Sequence, residues 1–329
     1  MKKFTFGPQK IQLTYNSSDE SRLLVISDVQ QQNAVIPEAM DSIEKLIEKT
    51  APSLILLLGD NGWGMNDVDT YRNYLSQLSK PFEDRHIPWC HVFGNHDSEE
   101  LPEFGLFSLK RPEVMEIYKE FPYCITKDSE DGVYGIGNCV LPVYDGLEPS
   151  FLVWLLDSND RMDEIRPHIW QAARMPSCRV DPAVSYFSFI RHSQIHWYYE
   201  TSEKIEKAFG RKIPGQMFFH IPLPELAMIL DHPEETKRTG VADVTDFGPS
   251  IINSGLFSAI IERDDVKGLF FGHDHVNTCV GEYCGIKMGY CGCMYPCKLD
   301  FSSNGARLIT VSKHNPSIVN TEYLYVHDL

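Results

Sequence analysis

Short, largely apolar runs at residues 23–26, 54–58, 89–93 and 266–271 recur along the chain, each ending abruptly in Gly, Asp, Asn or Ser. Runs of this length and continuity suit strands buried on both faces. Between the first two, Ile36, Ala39, Met40, Ile43, Leu46 and Ile47 make the i, i+3, i+4, i+7 stripe of a helix lying on a sheet, closed by Pro52. Val68, Tyr71, Leu75 and Leu78 predict a second helix, and Pro88 introduces the third strand. Two successive β-α-β units follow, with parallel strands and right-handed crossovers. Further on, the pattern predicts a helix near 112–119, a strand over 151–156, a helix over 193–209 and a strand over 217–219. A helix over 251–261 completes this part. Residues 3–20 alternate well enough for an opening strand (Phe4, Phe6, Ile11, Leu13, Tyr15). The tail alternates through Ala306, Leu308, Thr310 and then Tyr323, Tyr325, which predicts antiparallel strands at the edge of a second sheet. Residues 159–185 read as surface loop, and 231–250 as a loop over the site that gates substrate. One domain spanning 1–329 is the simplest organisation.

The apolar runs deliver Ser27-Asp28-Val29-Gln30, Gly59-Asp60-Asn61-Gly62, Gly94-Asn95-His96-Asp97 and Gly272-His273-Asp274-His275 to strand ends, and the short strand before Pro222 delivers His220. Ligands of open α/β sheets gather at the carboxyl ends of strands. Carboxylate and amide oxygens mixed with imidazoles form the donor set that a pair of hydrolytic metal ions uses. Taken alone, a His such as His220 is more often a satisfied core group. It is promoted by the company it keeps.

Composition narrows the partners. The formal net charge of -16 argues against a nucleic-acid polyanion, though not against a phosphate ester, since bound cations reverse the field locally. No apolar run approaches the ~20 residues of a membrane span. Residues 1–22 lack a secretory core, so a cytoplasmic protein is expected. Five of the nine cysteines fall at Cys279, Cys284, Cys291, Cys293 and Cys297, a spacing that matches no zinc motif and predicts reduced, mostly buried thiols.

Asp28, Gly59-Asp60, Gly94-Asn95-His96-Asp97, His220 and Gly272-His273-x-His275 resemble, in order and spacing, the calcineurin-like metallophosphoesterases. The stretches 218–225, 253–257 and 272–277 are similar to its short purple-acid-phosphatase-like branch. The resemblance spans residues 23–277. It implies an α/β fold of four layers, α/β/β/α, with two mixed sheets face to face. It also implies two divalent or trivalent metal ions (Mn, Fe, Zn or Mg) bridged by Asp60 and a hydroxide. Asp28 and His275 would hold the first metal, and Asn95, His220 and His273 the second. The activity implied is hydrolysis of a phosphomonoester, on a phosphoprotein or small molecule, by attack of that hydroxide. His96 would be the general acid and Asp97 would orient it.

Two positions depart from the family pattern. Where an Asp-x-His is usual, the chain has Gln30, whose amide oxygen is a weaker donor than imidazole. Where purple acid phosphatases place a tyrosine ligand, it has Trp63, which cannot ligate, so no purple colour is expected. A loosely held first metal is expected, with Mn²⁺, Mg²⁺ or Fe favoured over zinc. A phosphodiesterase and a non-catalytic phospholigand-binding protein are the alternatives.

Overall fold

The computed structural model describes residues 4–100, 105–162, 187–242, 248–250, 252–294 and 303–329. After a two-residue strand β1 (Leu13–Thr14), β2 (Glu20–Ile26), α1 (Pro37–Thr50) and β3 (Leu54–Leu58) form the first β-α-β unit. Helix α2 (Val68–Glu83) and β4 (Trp89–Val92) complete the second. The local causes are visible in the sequence. Pro37 opens α1 where a missing N–H costs nothing. Ala51 ends it in the left-handed region (φ 43°), with its N–H closing onto Ile47 O. Asp67 caps α2 by accepting the Thr70 N–H at 2.8 Å.

The chain continues through α3 (Arg111–Lys119), β5 (Cys139–Asp145), β6 (Glu148–Leu155), α4 (His192–Phe209), β7 (Gly215–Phe218) and α5 (Ala227–Asp231). It ends with α6 (Leu256–Arg263), β8 (Val266–Phe271), β9 (Val280–Tyr283), β10 (Ile286–Tyr290), β11 (Gly305–Ser312) and β12 (Asn320–Tyr325).

Two mixed sheets result. One has seven strands in the order β1-β5-β6-β7-β8-β10-β9, the other five in the order β12-β11-β2-β3-β4. In the smaller sheet β2, β3 and β4 are parallel, with Leu24 opposite Ile55 and Leu57 opposite His91. In the larger, β6, β7, β8 and β10 are parallel.

Strand periodicity sorts the apolar side chains into layers. Leu24, Ile26, Ile55 and Leu57 pack under α1, α2 and α3. Their neighbours Leu23, Val25, Leu54, Leu56 and Leu58 turn the other way and meet Phe151, Val153, Phe218 and Phe270 of the larger sheet. On that sheet's outer face Leu152, Trp154, Met217, Leu269 and Phe271 pack under α4 and α6. The order is helix, sheet, sheet, helix. Both β-α-β units therefore aim their strand ends at one edge of a sandwich, and β6, β7 and β8 aim theirs at the same edge from the other side.

Several expectations change. The opening strand shrinks to Leu13–Thr14, and Phe4 and Phe6 instead pack beside Phe209. The two tail strands are antiparallel, but β11 pairs with β2, so they complete the first sheet rather than edge a second one. The helix expected over 251–261 begins later, at Leu256 after Gly255 (φ 86°); Ile251 lies outside the described residues. So do most of the expected loop 159–185, residues 243–247 of the loop 231–250, and Cys297. Cys279, Cys291 and Cys293 are buried and Cys284 is exposed. Among the described residues no helix is long and apolar enough to cross a membrane.

Phe218 sits fully buried where the sheets meet, and Phe218→Ala is expected to lower the unfolding free energy by about 3–5 kcal/mol in urea titration.

Candidate metal centre

Loops leaving five parallel strands meet at the common edge. They supply Asp28 and Gln30 after β2, Asp60 after β3, Asn95 to Asp97 after β4, His220 after β7, and His273 and His275 after β8. The loops approach closely because small residues stand between them. A Cβ on Gly94 would lie 2.2 Å from Asp60 Oδ1, and one on Gly272 would lie 2.1 Å from Ser27 Oγ. Asp28, Gln30, Asp60 and His273 each take a positive φ (53°, 44°, 49° and 75°), a region that side-chain-bearing residues enter at a cost. Backbone ties hold these turns: Asp28 N–H donates to Gly59 O at 3.1 Å, and Gln30 N–H to Asp60 O at 2.8 Å.

Asp60 is central. Its Oδ1 accepts the His96 N–H at 2.7 Å, and its Oδ2 lies 3.1 Å from His220 Nε2. His220 donates from Nδ1 to Leu58 O at 2.8 Å, which leaves Nε2 facing the carboxylates, 3.8 Å from Asp28 Oδ1. An imidazole anchored this way on a carbonyl presents its other nitrogen to a metal. His275 Nε2 lies 3.3 Å from the same Asp28 oxygen. Asp60, His220 and His273 bring one ligand atom each within 4.8 Å of one another. Asp28 Oδ2 accepts the His273 N–H at 3.0 Å, joining the first loop to the last.

The carboxylates and imidazoles at the centre shift one another's protonation. Burial pushes the Asp60 carboxyl up, but His220, His96 and His273 outweigh it and hold it well below the usual range. Burial pulls His220 down, yet Asp60 and Asp28 lift it to about 9. His273, buried and next to His220, is pushed well below the ordinary value. A position that recruits a proton between two buried carboxylates is one where a cation is strongly favoured.

Polar atoms confirm where the polypeptide leaves donors unused. Asp28 Oδ1, Gln30 Oε1, His220 Nε2 and both amide atoms of Asn95 are buried and make no hydrogen bond among the described residues, although His220 Nε2 and Asp28 Oδ1 stand within ion-pair distance of Asp60 and His275. Buried polar groups are normally paired, so the gathering of these atoms at the ends of β2, β4 and β7 fits a metal-binding donor set. Every sequence-expected ligand position thus lies at this edge.

Asp97 is placed differently from its expected role. Its Oδ1 accepts N–H bonds from Asn61 (2.8 Å) and Gly62 (3.0 Å), and its Oδ2 accepts the Gly94 N–H at 2.7 Å. Burial and then the charge of Asp60 raise it to about 6 against the pull of those donors. Both oxygens serve backbone, and the carboxylate that meets His96 Nδ1 is Glu99. Trp63 lies edge-on to His96 at 5.6 Å, contributing ring surface rather than an oxygen.

Sequence reasoning leaves three contributors unnamed. Arg111 Nη2 donates to Gly94 O at 2.9 Å while its Nη1 lies 2.6 Å from Asp157 Oδ1, so Asp157 shapes the site edge through that arginine. Arg161 Nη2 lies 2.7 Å from Glu99 Oε1. Phe187 meets the His273 ring edge-on at 4.3 Å. None of these belongs to a motif; Glu99, a fourth, stands three residues after His96.

Residues 21–277 match the calcineurin-like phosphoesterases. The chain is similar to the probable inactive purple acid phosphatase 14 of Arabidopsis thaliana, at 26% identity over 88% of this chain and 73% of that protein. It is similar to phosphatase DCR2 of Saccharomyces cerevisiae, at 26% identity over 75% of this chain and 39% of that protein. A dimetal phosphatase from Danio rerio shares the fold, with a TM-score of 0.57 at 15% identity over 93% of this chain and 96% of that one. The chain belongs to the calcineurin-like phosphoesterase family.

Proposed function

We propose that this protein hydrolyses phosphomonoesters with two metal ions bound at the strand edge. The observation that carries this reading is the buried donor set around Asp60, in which Gln30 Oε1 and both Asn95 amide atoms make no hydrogen bond among the described residues while His220 Nε2 lies 3.1 Å from Asp60 Oδ2. Asp28, Gln30 and His275 would hold one cation, Asn95, His220 and His273 the other, with Asp60 between them. When bound, the cations supply Lewis acidity toward phosphoryl oxygens and lower the pKa of water at the site.

The chain's own residues supply orientation and a proton. His96 lies at the rim, its side chain 23% exposed and its Nε2 3.9 Å from Asp60 Oδ2, so it reaches both the centre and an incoming ester. Burial opposes its protonation, but Asp60 and Glu99 outweigh that and raise it, which suits a general acid near neutral pH. A monoester substrate is favoured by the phosphatase names of the relatives.

The second reading is a phospholigand-binding protein without turnover. It is motivated by Gln30 and Trp63 standing where family members carry stronger ligands, and by the word inactive in the names of three relatives.

Adding Mn²⁺ or Zn²⁺ to chelator-treated protein is expected to raise its melting temperature, by about 2.7 kcal/mol of stabilisation at a hundredfold excess over Kd. Asn95→Ala and His220→Ala should lose most of that rise, and equal shifts in all three proteins would place the metal elsewhere. In calorimetric titration Gln30→His is expected to bind the first metal more tightly than wild type; equal affinities would remove Gln30 from the ligand set. With p-nitrophenyl phosphate and its bis-ester, metal-loaded protein should turn over the monoester. Asn95→Ala should abolish the activity, and His96→Ala should slow it by about 10²-fold. Preference for the bis-ester would move the assignment to a diesterase, and metal binding without turnover would favour the second reading.

A further inference from the structure

Three side chains run in a line away from the centre: His96, Glu99 and Arg161. His96 Nε2 faces Asp60 Oδ2 at 3.9 Å, while its Nδ1 contacts Glu99 Oε2. The other oxygen of Glu99, Oε1, lies 2.7 Å from Arg161 Nη2. The Glu99 carboxylate is thus engaged on both oxygens, and its side chain is only 4% exposed. Arg161 is itself braced, with its guanidinium 5.6 Å from the centre of the Phe187 ring.

We infer that Glu99 is the positioning residue for His96, fixing its ring and keeping a proton on Nδ1 so that Nε2 is the nitrogen that exchanges a proton at the site. The inference rests on the phosphatase reading above and deepens it. An imidazole turns about two torsions and has two tautomers, so one anchored nitrogen decides what the other can do. Asp97 is not the anchor: its oxygens are turned to the backbone N–H groups of Asn61, Gly62 and Gly94, and the carboxylate at His96 Nδ1 is Glu99. Arg161 holds Glu99 from behind, so the carboxylate cannot turn from His96 without giving up an ion pair.

The proton balance is direct. The bond from phosphorus to the leaving oxygen breaks, its electron pair stays on that oxygen, and the proton on His96 Nε2 moves to it. Water adds to phosphorus in its place. The imidazole left behind keeps its remaining proton on Nδ1, where Glu99 accepts it.

The test uses metal-loaded full-length protein and two esters, phenyl phosphate with a poor leaving group and p-nitrophenyl phosphate with a good one. Glu99→Ala is expected to lower kcat on phenyl phosphate by about 10²-fold, with a smaller loss on p-nitrophenyl phosphate and KM unchanged. Glu99→Gln, whose amide oxygen still accepts from Nδ1, should recover part of the rate. In a His96→Ala background, Glu99→Ala should add no further loss. Equal losses on both esters, or full additivity with His96→Ala, would make Glu99 a structural partner of Arg161 and overturn the proposal.

A second readout separates this from the phosphatase reading. In full-length protein labelled with ¹⁵N-histidine, the Nδ1-bound proton of His96, assigned by its loss in His96→Ala, should be visible and should disappear in Glu99→Ala. If no ester is turned over with any metal, the phosphatase reading fails, and this resonance alone decides the role of Glu99. An Nδ1 without a proton in the wild type, or a resonance indifferent to Glu99→Ala, overturns the positioning role whether or not the enzyme is active.

Discussion

Two loops that leave neighbouring strands are tied together through the carboxylate of Asp97, which accepts the N–H groups of Asn61 and Gly62 on one oxygen and of Gly94 on the other. Buried amide donors without partners each cost on the order of 1–3 kcal/mol, so a single side chain offsets three such penalties at once. The tie sets the distance between the Asp60 turn and the Asn95-His96 turn. Asp60 Oδ1 then accepts the His96 N–H, and the other carboxylate oxygen is aimed at His220. Asp60's orientation, and with it the spacing of the donors around it, follows from this backbone arrangement.

The site also depends on there being two sheets. The smaller sheet contributes Asp28, Asp60 and Asn95, and the larger contributes His220, His273 and His275. Neither sheet carries a full donor set. The apolar layer between them, with Leu56 and Leu58 on one side and Phe218 and Phe270 on the other, therefore registers one half of the proposed centre against the other. Arg111 adds a polar link, joining Gly94 O to Asp157 at the end of β6. Carboxylates gathered at such a seam are where a cation would be held, even in a chain of formal net charge -16.

The strand-end residues were legible in sequence because each follows an apolar run whose length and continuity identify a buried strand. Asp28, Asp60, Asn95, His273 and His275 are placed by that rule, and His220 by the short strand before it. The β5–β6 hairpin was only half visible, since Pro142 lies inside β5 and reads against a strand. The tail strands were legible as strands but not as partners of β2. The sequence does not distinguish Glu99 from the adjacent Glu100, yet Glu99 meets His96 and Arg161 while Glu100 pairs with Lys110 at the surface.

The sequence by itself determined the β-α-β units, the family and the residues offered at each strand end, because these depend on local periodicity and on short motifs of contiguous residues. Tertiary structure decided which carboxylate faces which donor: Asp97 turned to backbone, Glu99 to His96, and Asp157 to Arg111. The Asp97–Asn61 and Asp157–Arg111 contacts bridge 36 and 46 positions, and Glu99, only three positions from His96, is held there by the distant Arg161. A carboxylate's role is set by the donors that folding brings within about 3 Å of it, and no local pattern encodes that distance.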